Sequence, residues 1–318
     1  MDVLADILSA MRVGRPVAAH TEARAPWGLR FGHVTGAAFH VVLQGTCWLT
    51  PLPDSAEFEP VALGPGDVVL LGRGATHAVV SEPDVPLTDF APSRSSPSAP
   101  LGRVVLPGPG GRSTIVCGAY RLHRHNPHPL LRDLPEVMHL SALPGRHRGL
   151  RAMVELLGEE LAHEPPGATV VTPALVDALL VYMLRAWLAD GDNAGGWSAA
   201  LADPVTSRAL AAIHAEPAHP WTVEKLADTA RLSRAAFARR FTTLVGEPPL
   251  TYLTRWRMTT AARLLRDTDK TLGQVAVAVG YGSAFAFAKA FRREYATTPG
   301  TYRGTSRIGA SPGRARAR

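Results

Sequence analysis

The chain contains 318 residues, of which 46% are hydrophobic, and it carries a formal net charge of +7 at pH 7. Its length exceeds that of one typical domain and allows two hydrophobic cores. A mean hydropathy near zero is typical of a soluble globular protein. The two cysteines, Cys47 and Cys117, are too few and too far apart for a disulfide framework, so we expect both to be reduced.

The charge is distributed unevenly along the chain. Residues 203–318 contain 19 Lys and Arg residues and 8 Asp and Glu residues, whereas residues 1–202 carry a net charge of −4. A basic module joined to a mildly acidic one favours phosphate binding by the basic part. No apolar run approaches the roughly 20 residues of a membrane span, and the acidic amino end does not resemble a secretory signal. We therefore expect a cytoplasmic protein with no membrane partner.

Residues 1 to about 122 are predicted to be rich in β-strands. Short apolar or alternating runs, punctuated by Gly, Pro and Asp, occupy residues 38–43, 47–50, 67–71 and 114–117. Such runs are typical of strands. A stretch rich in Ser and Pro at residues 92–100 predicts a solvated loop.

Two segments of this region resemble the two motifs of the cupins, which are small β-barrels. Residues 36–45 read GAAFHVVLQG, and residues 63–77 read LGPGDVVLLGRGATH. The resemblance covers about residues 20–125. It implies a barrel that encloses a ligand or a metal.

Enzymatic cupins hold their metal with two close histidines and a glutamate from the first motif and a histidine from the second. His33 and His77 match ligand positions, whereas Phe31 and Ala38 stand where the other ligands would be. A catalytic metal site needs about three protein ligands and an open position. The resemblance therefore implies an incomplete ligand set for a cupin enzyme.

Residues 150–188 are predicted to be helical, because apolar residues recur there at three- and four-residue steps. We expect these helices either to dock on the barrel or to pair with a second subunit in a homodimer. Residues 190–196 predict a flexible connection, and Asp203 with Pro204 predicts a helix start. The histidine cluster at residues 123–128 suggests a metal site, but its Arg and Pro residues favour an exposed turn.

A helix-turn-helix pattern occurs twice in the last third of the chain, with a small residue at each helix crossing, Ala227 and Ala276. Two helices can cross at close range only where the residue at the crossing is small. Apolar residues recur immediately before each alanine, three residues after it and five residues after it. They are Leu226, Ala230 and Leu232 in the first copy, and Val275, Val279 and Tyr281 in the second.

The second helix of each motif is predicted to present a DNA-reading face. Phenylalanines four residues apart turn inward in both copies, and a serine caps each helix. The predicted DNA-binding residues are Ser233, Arg234, Ala235, Ala238 and Arg239 in the first copy, and Gly282, Ser283, Ala284, Phe285, Ala286 and Lys289 in the second. We expect Arg234 or Arg239 to contact a base edge.

Phe285 is predicted to lie on the outer face of its helix, where an aromatic side chain needs a cover. A thymine methyl group in the major groove is one cover. Packing against a neighbouring helix or the partner domain is the other. Both interpretations remain open at this stage.

Residues 249–266 are predicted to form a long amphipathic helix between the two copies. Such a helix would act as a rigid spacer. If it holds the two recognition helices about 34 Å apart, both enter successive major grooves on one face of the duplex. The two copies differ in their side chains, which predicts a non-palindromic site for each chain.

Residues 203–303 resemble the DNA-binding domain of the AraC/XylS family of bacterial transcription regulators. The resemblance is most specific from Val279 to Arg303, and it departs from the family at Arg231 and Ala296, where glycine is usual. It implies double-stranded DNA as a partner, and RNA polymerase is a further candidate. Residues 306–318 are predicted to be a disordered basic tail.

Residues 115–120 resemble a segment of the cupin-type sensors that are fused to this class of regulator, some of which respond to oxidants or metals. His33, His40, His77 and Cys117 then form a candidate zinc or redox site. In the alternative interpretation the cysteine is an inert buried side chain, and the histidines form hydrogen bonds with backbone groups. A small effector, a metal and an oxidant all remain candidate signals.

The prediction is an α+β protein with four parts. Residues 1–125 form a cupin-like β-barrel sensor, 126–202 a helical linker or dimerisation region, and 203–305 an all-α domain with two helix-turn-helix motifs, followed by the tail at 306–318. The predicted function is a DNA-binding transcription regulator controlled by a sensed signal. The alternative is a cupin metalloenzyme, an isomerase or dioxygenase, with an appended nucleic-acid module.

Overall fold

A computed structural model describes residues 2–53, 55, 58–93, 101–122, 127–141, 143, 145–190 and 196–308, with side chains to residue 305. Four predicted segments fall wholly or partly outside these residues. They are the loop at 92–100, the histidine cluster at 123–128, the connection at 190–196 and the basic tail.

The described residues form eleven strands and twelve helices. The strands are β1 Val17–Arg24, β2 Gly28–Phe31, β3 Gly36–Gln44, β4 Cys47–Pro51, β5 Val61–Leu63, β6 Val68–Leu71, β7 His77–Val80, β8 Thr88–Asp89, β9 Gly102–Leu106, β10 Arg112–Arg121 and β11 Met138–Leu140. The helices are α1 Val3–Met11, α2 Pro129–Arg132, α3 Arg148–His163, α4 Ala168–Ala189, α5 Gly196–Ala202, α6 Pro204–Ala215, α7 Val223–Thr229, α8 Arg234–Val245, α9 Pro249–Asp267, α10 Leu272–Ala278, α11 Ala284–Tyr295 and α12 Pro299–Ile308.

The chain divides into two compact units. The sandwich unit comprises residues 14–122 and 134–190, and the helical unit comprises the described residues of 2–13, 127–133 and 196–308. The predicted division had placed residues 1–13 with the β-rich part. In the structure α1 packs on α6 and α9, because its apolar face, including Ile7 and Met11, is buried there.

Two sheets, rather than one closed barrel, form the sandwich unit. The six-stranded sheet has the order β11-β6-β3-β10-β1-β9, and the five-stranded sheet has the order β5-β4-β7-β2-β8. Alternate residues of each strand point between the sheets and form one core. Its members include Ala19, Leu29, Val42, Leu49, Leu71, Val79, Ile115 and Cys117. The prediction of a closed barrel was wrong in this detail, and the cupin-like placement of the strands was correct.

The predicted helical segment at residues 150–188 forms α3 and α4 of the sandwich unit. These helices pack on each other, and the Tyr120 hydroxyl of β10 donates a hydrogen bond of 2.6 Å to the Val176 carbonyl of α4. The helix α4 is long and apolar enough to cross a membrane by length and composition alone. The expectation that no apolar run approaches the length of a membrane span is therefore wrong for this helix. One side of α4 is buried, including Leu179 and Met183, as in a core helix.

The helical unit places α9 between the two helix-turn-helix motifs. The pair α7 and α8 forms the first motif, and α10 and α11 form the second. Each of these four helices has a Ser or Thr at its N-cap that accepts a hydrogen bond from a backbone N–H of the first turn. Such caps satisfy amide groups that have no partner inside the helix. The sequence thus sets where each of these helices begins.

Candidate nucleic-acid interface

The first helix-turn-helix motif has the tight crossing that its sequence predicts. Leu226 and Ala227 are buried, and the Leu232 amide donates to the Ala227 carbonyl at 3.0 Å to close the turn. Arg231 has a φ of +57°, in the left-handed region that favours glycine. Arg231 therefore has the backbone conformation expected of the glycine that is usual at this position.

The second motif repeats this geometry. Val275 and Ala276 are buried, and the Tyr281 amide donates to the Ala276 carbonyl at 2.8 Å. Gly280, at the position equivalent to Arg231, has a φ of +79°. A Cβ atom there would lie 2.8 Å from the Ala218 carbonyl oxygen, so the glycine also allows a close approach of backbone.

The inward phenylalanine pairs are confirmed. Phe237 and Phe241 of α8, and Phe287 and Phe291 of α11, are all fully buried. Because these side chains fix the rotation of each helix, the opposite face points to solvent. The exposed predicted residues are Ser233, Arg234, Ala235, Arg239, Gly282, Ser283, Ala284, Phe285, Ala286 and Lys289, and Ala238 is half-buried.

The two arginines on the first recognition helix differ in their surroundings. Arg234 forms an ion pair of 2.6 Å with Glu224 of α7, and both side chains are exposed. Arg239 forms no ion pair within the described residues and lies on the exposed face beside Leu232 and Thr243. Exposed ion pairs are weak and exchange readily, so both guanidinium groups are accessible to a ligand.

Phe285 is 82% exposed, so no neighbouring helix of the helical unit covers it. This contradicts the interpretation in which it packs against a neighbouring helix. Lys289 is exposed one helical turn further along α11. Sequence reasoning did not select Arg292 and Arg293 in the last turn of α11, which are also exposed and add positive charge.

A buried ion network connects the spacer helix to both motifs. Arg255 of α9 donates to both carboxylate oxygens of Glu247, with contacts of 3.0, 3.2 and 2.9 Å, and its other terminal nitrogen lies 3.9 Å from Glu294 of α11. Glu247 lies two residues after the end of α8. The side chains of Arg255 and Glu247 are only 16% and 10% exposed. One arginine therefore fixes both recognition helices to the spacer.

A second pair holds the first motif to the preceding helix. Arg240 of α8 donates to Asp203, which is also the N-cap of α6. The hydrogen bonds from Arg240, opposed by burial and aided by the Thr206 amide, lower the pKa of Asp203 to about 2. The predicted helix start at Asp203 is confirmed, and the carboxylate has a further role that its sequence position does not reveal.

The histidine cluster at residues 123–128 is not wholly an exposed turn. Residues 123–126 lie outside the described part, but His128 is buried in the helical unit, with its Nε2 atom 3.1 Å from the Tyr252 hydroxyl. The same hydroxyl lies 2.6 Å from His214 Nε2. Burial lowers the pKa of His214 to about 3. The prediction of an exposed turn is therefore wrong for His128, which is a neutral core residue.

The candidate metal residues converge only in part. His40 and His77 are buried in the sandwich core with their Nε2 atoms 2.7 Å apart. Cys117 lies directly across from His40 in the β3–β10 register. His33 is exposed after the end of β2 and does not join them. Within the described residues, no group of three His, Cys, Asp or Glu side chains could hold a metal ion.

The contacts of His77 define the protonation of the histidine pair. Its Nδ1 atom lies 2.7 Å from the Ala75 carbonyl, so Nδ1–H donates there and Nε2 accepts from His40. Burial lowers the pKa of His77 to about 4, and burial next to His77 holds the pKa of His40 well below its usual range. Phe31 stacks on the His77 ring at 4.9 Å in place of a further ligand. The pair is neutral and packed.

Both cysteines are buried, and they form no disulfide in the structure. Burial raises the pKa of the Cys47 thiol to about 12 and raises the pKa of the Cys117 thiol further. The Thr21 hydroxyl is the hydrogen-bond partner of Cys117, at 3.9 Å. Metal binding and oxidation both require the thiolate, so this environment favours the inert interpretation of Cys117.

Comparisons with known proteins match two different family models to the amino-terminal and carboxy-terminal parts of the chain. A sequence model described as Cupin matches residues 2–189, and one described as Helix-turn-helix domain matches residues 226–305. A putative AraC-like transcription regulator of Streptomyces lividans is 35% identical over 95% of this chain and 98% of its own length. The HTH-type transcriptional regulator AlkR of Acinetobacter baylyi is 30% identical over 95% of this chain and 99% of its own length. Among solved structures, the DNA-binding domain of AdpA in complex with a target DNA is 34% identical, with a TM-score of 0.32, over 34% of this chain and 96% of that chain.

Proposed function

The chain belongs to the family of AraC-like transcription regulators, and from this premise we propose which of its residues read DNA and how the signal is received. The observation that carries the proposal is the pair of matched recognition helices, α8 and α11. Each has a buried phenylalanine pair on one face and an exposed, uncharged or basic opposite face. Both belong to the basic part of the chain.

The two recognition helices have different chemical roles in this proposal. Arg239 of α8, and Arg234 after it exchanges Glu224 for DNA, reach guanine edges or phosphates. On α11 the small residues around Ala284 allow close approach, and Phe285 contacts a thymine methyl group. Lys289, Arg292 and Arg293 neutralise phosphates. Each chain then recognises two unlike half-sites, so its operator is not palindromic.

The sandwich unit receives the signal in the cytoplasm, and α3 and α4 provide the coupling or homodimer surface. Exposed apolar side chains on these two helices, Leu156 and Val170, support the second role. RNA polymerase is the partner that a DNA-bound activator would contact.

The cupin metalloenzyme is the weaker candidate, because the donor set does not fit it. Enzymatic cupins need about three converging ligands, and the described residues bring only His40 and His77 together. Their Nε2 atoms are joined by a hydrogen bond, and Phe31, which stands at a ligand position of the motif, stacks on the His77 ring. The relatives at 30% identity or more are named as transcription regulators.

Selection of bound duplexes from a random pool by the full-length protein tests the proposal. We expect one non-palindromic sequence, bound at least about 10³-fold more tightly than random duplex, with an affinity that falls steeply with salt. The Arg239→Ala variant should lose about tenfold or more in affinity for this sequence. The control variant Arg121→Ala, at an exposed position at the end of β10, should bind like the wild type. Equal affinity for every duplex would contradict the proposal.

A further inference from the structure

A groove with a volume of 1210 Å³ lies on the outer face of the six-stranded sheet, within the sandwich unit. Its floor consists of strands β1, β3, β9 and β10, and helix α3 forms its wall. Because Ala19, Thr21 and Ala23 point into the core, the alternate residues His20 and Glu22 point into the groove. The groove exceeds the usual range of small-molecule sites, roughly 300–1,000 Å³.

The floor carries an excess of positive charge. Glu22 binds Arg103 through one carboxylate oxygen, at 2.7 Å, and Arg112 through the other, at 2.8 Å. The two arginines are about half exposed and retain unused N–H donors. One carboxylate thus holds two guanidinium groups in place at the edge of the groove, with a net charge of +1.

The wall carries the opposite charge. Arg151 and Glu155 of α3 form an ion pair of 2.9 Å and cancel each other. Glu159 and Glu164 also line the groove, and they form no ion pair among the described residues. Burial lowers the pKa of His20 on the floor, and the charges of Glu22 and Glu164 oppose this shift. The helix side therefore has a net charge of −2.

An unpartnered hydroxyl group lies in the floor between these charges. Thr114 is 8% exposed, and its Oγ1 atom is buried without a hydrogen-bond partner in the structure. It stands directly opposite Glu22 in the β1–β10 register and next to Gln44 in the β10–β3 register. A buried hydroxyl without a partner is costly, so this position favours a ligand that hydrogen-bonds.

Buried side chains pack in the space between the two sheets. Its side chains form the apolar core, and its two histidines bond to each other. The outer groove instead combines volume, opposite charges on facing walls and an unused hydroxyl. These features identify it as the better candidate for the effector site.

We propose that this groove binds a short peptide with free termini, whose carboxylate pairs with Arg103 and Arg112 and whose ammonium group faces Glu159 and Glu164. The peptide backbone hydrogen-bonds to Thr114 and Gln44. Arginine pairs suit carboxylates because their N–H groups match the two oxygens. A ligand with one charge would leave one wall of the groove unpaired. The regulatory meaning of the site rests on the proposed function, whereas the binding itself does not.

Calorimetry of the full-length protein with trialanine tests the proposal. The matched controls are N-acetyl-trialanine, which lacks the ammonium group, and trialanine amide, which lacks the carboxylate. We expect trialanine to bind with a millimolar or lower Kd, and each capped form to bind about tenfold more weakly. Absence of trialanine binding at millimolar concentrations, or equal binding of all three peptides, overturns the proposal.

Variants locate the site. Arg112→Gln should weaken trialanine binding about tenfold, whereas Arg121→Gln, at the other end of the same strand and outside the groove, should not change it. Thr114→Val should raise the melting temperature of the free protein by about 2–4 °C and weaken peptide binding. These opposite effects separate loss of a ligand contact from general damage to the fold. Unchanged peptide binding in both Arg112→Gln and Thr114→Val contradicts the proposal that the peptide binds in this groove.

The same proteins report separately on the proposed function. Peptide binding is measured without DNA, and DNA binding is measured by mobility shift with and without trialanine. Peptide binding without sequence-selective DNA binding would support the proposed peptide site and contradict the proposed function as a transcription regulator. Selective DNA binding without peptide binding would support the proposed regulator function and overturn the proposal that the groove binds a peptide.

Discussion

Arg231 has the left-handed backbone conformation that the turn of the first helix-turn-helix motif requires. Left-handed backbone costs a non-glycine residue roughly 1–2 kcal/mol, and Gly280 avoids this cost at the equivalent position. We predict that Arg231→Gly raises the free energy of unfolding of the helical unit by about 1 kcal/mol. Chemical denaturation measures the change. A decrease in stability would show that the arginine side chain contributes more than its backbone costs.

Gly280 is predicted to be intolerant of substitution for two reasons that act together. Its φ is +79°, and a Cβ atom would come within 2.9 Å of atoms of Ala218 and Arg257. We expect Gly280→Ala to lower the free energy of unfolding by more than about 2 kcal/mol. Gly273→Ala in α10 is the control, because a Cβ there meets no atom closer than 4.0 Å. That variant should be neutral or slightly stabilising.

Phe285 provides a test of how the second motif reads DNA. If its exposed ring covers a thymine methyl group, replacing that thymine with deoxyuridine removes the contact without changing the hydrogen bonds. We expect the substitution to weaken wild-type binding about three- to tenfold and to leave Phe285→Ala unaffected. Mobility shifts on the selected operator and its deoxyuridine versions measure this coupling. Equal sensitivity of both proteins at every thymine would exclude the contact.

The histidine pair makes the stability of the sandwich unit dependent on pH. His77 has its pKa lowered to about 4 by burial, against 6.5 in the unfolded chain. Between these values the unfolded chain binds a proton that the folded unit does not, so stability falls as the pH drops from 6.5 towards 4. The slope is about 1.4 kcal/mol per pH unit for one histidine.

Replacement of both histidines should flatten this dependence. In His40→Leu/His77→Leu the hydrogen bond between the two rings is removed from both sides. The half-buried Ala75 carbonyl is the acceptor that loses its donor. Hydrogen exchange of β3 and β7 peptides in urea, at pH 7, 6 and 5, measures the effect. The exposed His33→Leu variant is the control and should keep the wild-type slope. An unchanged slope in the double variant would place the acid sensitivity elsewhere.

At the scale of elements, Arg255 connects the spacer helix to the ends of both recognition helices. Lysine at this position keeps the charge but loses the fork that binds both oxygens of Glu247. We predict that Arg255→Lys weakens binding to the selected operator about tenfold. We also predict that it reduces the penalty for inserting one base pair between the half-sites, because the two helices are then held less rigidly.

The spacing profile distinguishes this role from a general loss of stability. A destabilised protein loses affinity equally for operators of every half-site spacing. A protein whose two recognition helices are held less rigidly instead loses its preference for one spacing. Arg263→Lys, at an exposed position on the same helix, is the control and should keep the wild-type profile. Parallel profiles for wild type and Arg255→Lys would contradict the positioning role.

Much of the helical unit could be predicted because its determinants are local. The caps at Ser233 and Ser283 and the small crossings at Ala227 and Ala276 depend on residues a few positions apart. The Arg255 network could not be predicted in this way, since Glu294 lies 39 positions along the chain from Arg255. Arg255 and Glu294 come close to each other only when α9 and α11 pack in the folded unit.

The same reasoning applies to the sandwich unit. Short strands were predicted from alternation, but the division into two sheets depends on pairings between distant strands, such as β1 with β10 and β9. His33 and His77 matched a motif, yet the structure pairs His77 with His40, because His33 follows the end of β2 and faces solvent. The outer groove involves four strands and a helix, and no local pattern marks it.

At the scale of the whole molecule, the amino-terminal helix belongs to the unit that contains the far end of the chain. Ile7 of α1 is fully buried, and α1 packs on α6 and α9. Ser9 lies on the same helix and is exposed. Burial of a large aliphatic side chain contributes about 1.5–3 kcal/mol, and its truncation to alanine adds the cost of a cavity. The stability of the DNA-binding unit should therefore depend on a residue almost 200 positions before it.

We predict that Ile7→Ala lowers the free energy of unfolding of the helical unit by about 2–5 kcal/mol, whereas Ser9→Ala changes it by less than about 0.5 kcal/mol. Hydrogen exchange of α6 and α9 peptides measures the loss, and β3 and β7 peptides serve as the internal reference. For the same reason a fragment that begins at residue 203 lacks α1 and should unfold at lower urea concentration than the same helices in the full chain. If Ile7→Ala changes protection only in β3 and β7, α1 stabilises the sandwich unit instead, and the two-unit division would need revision.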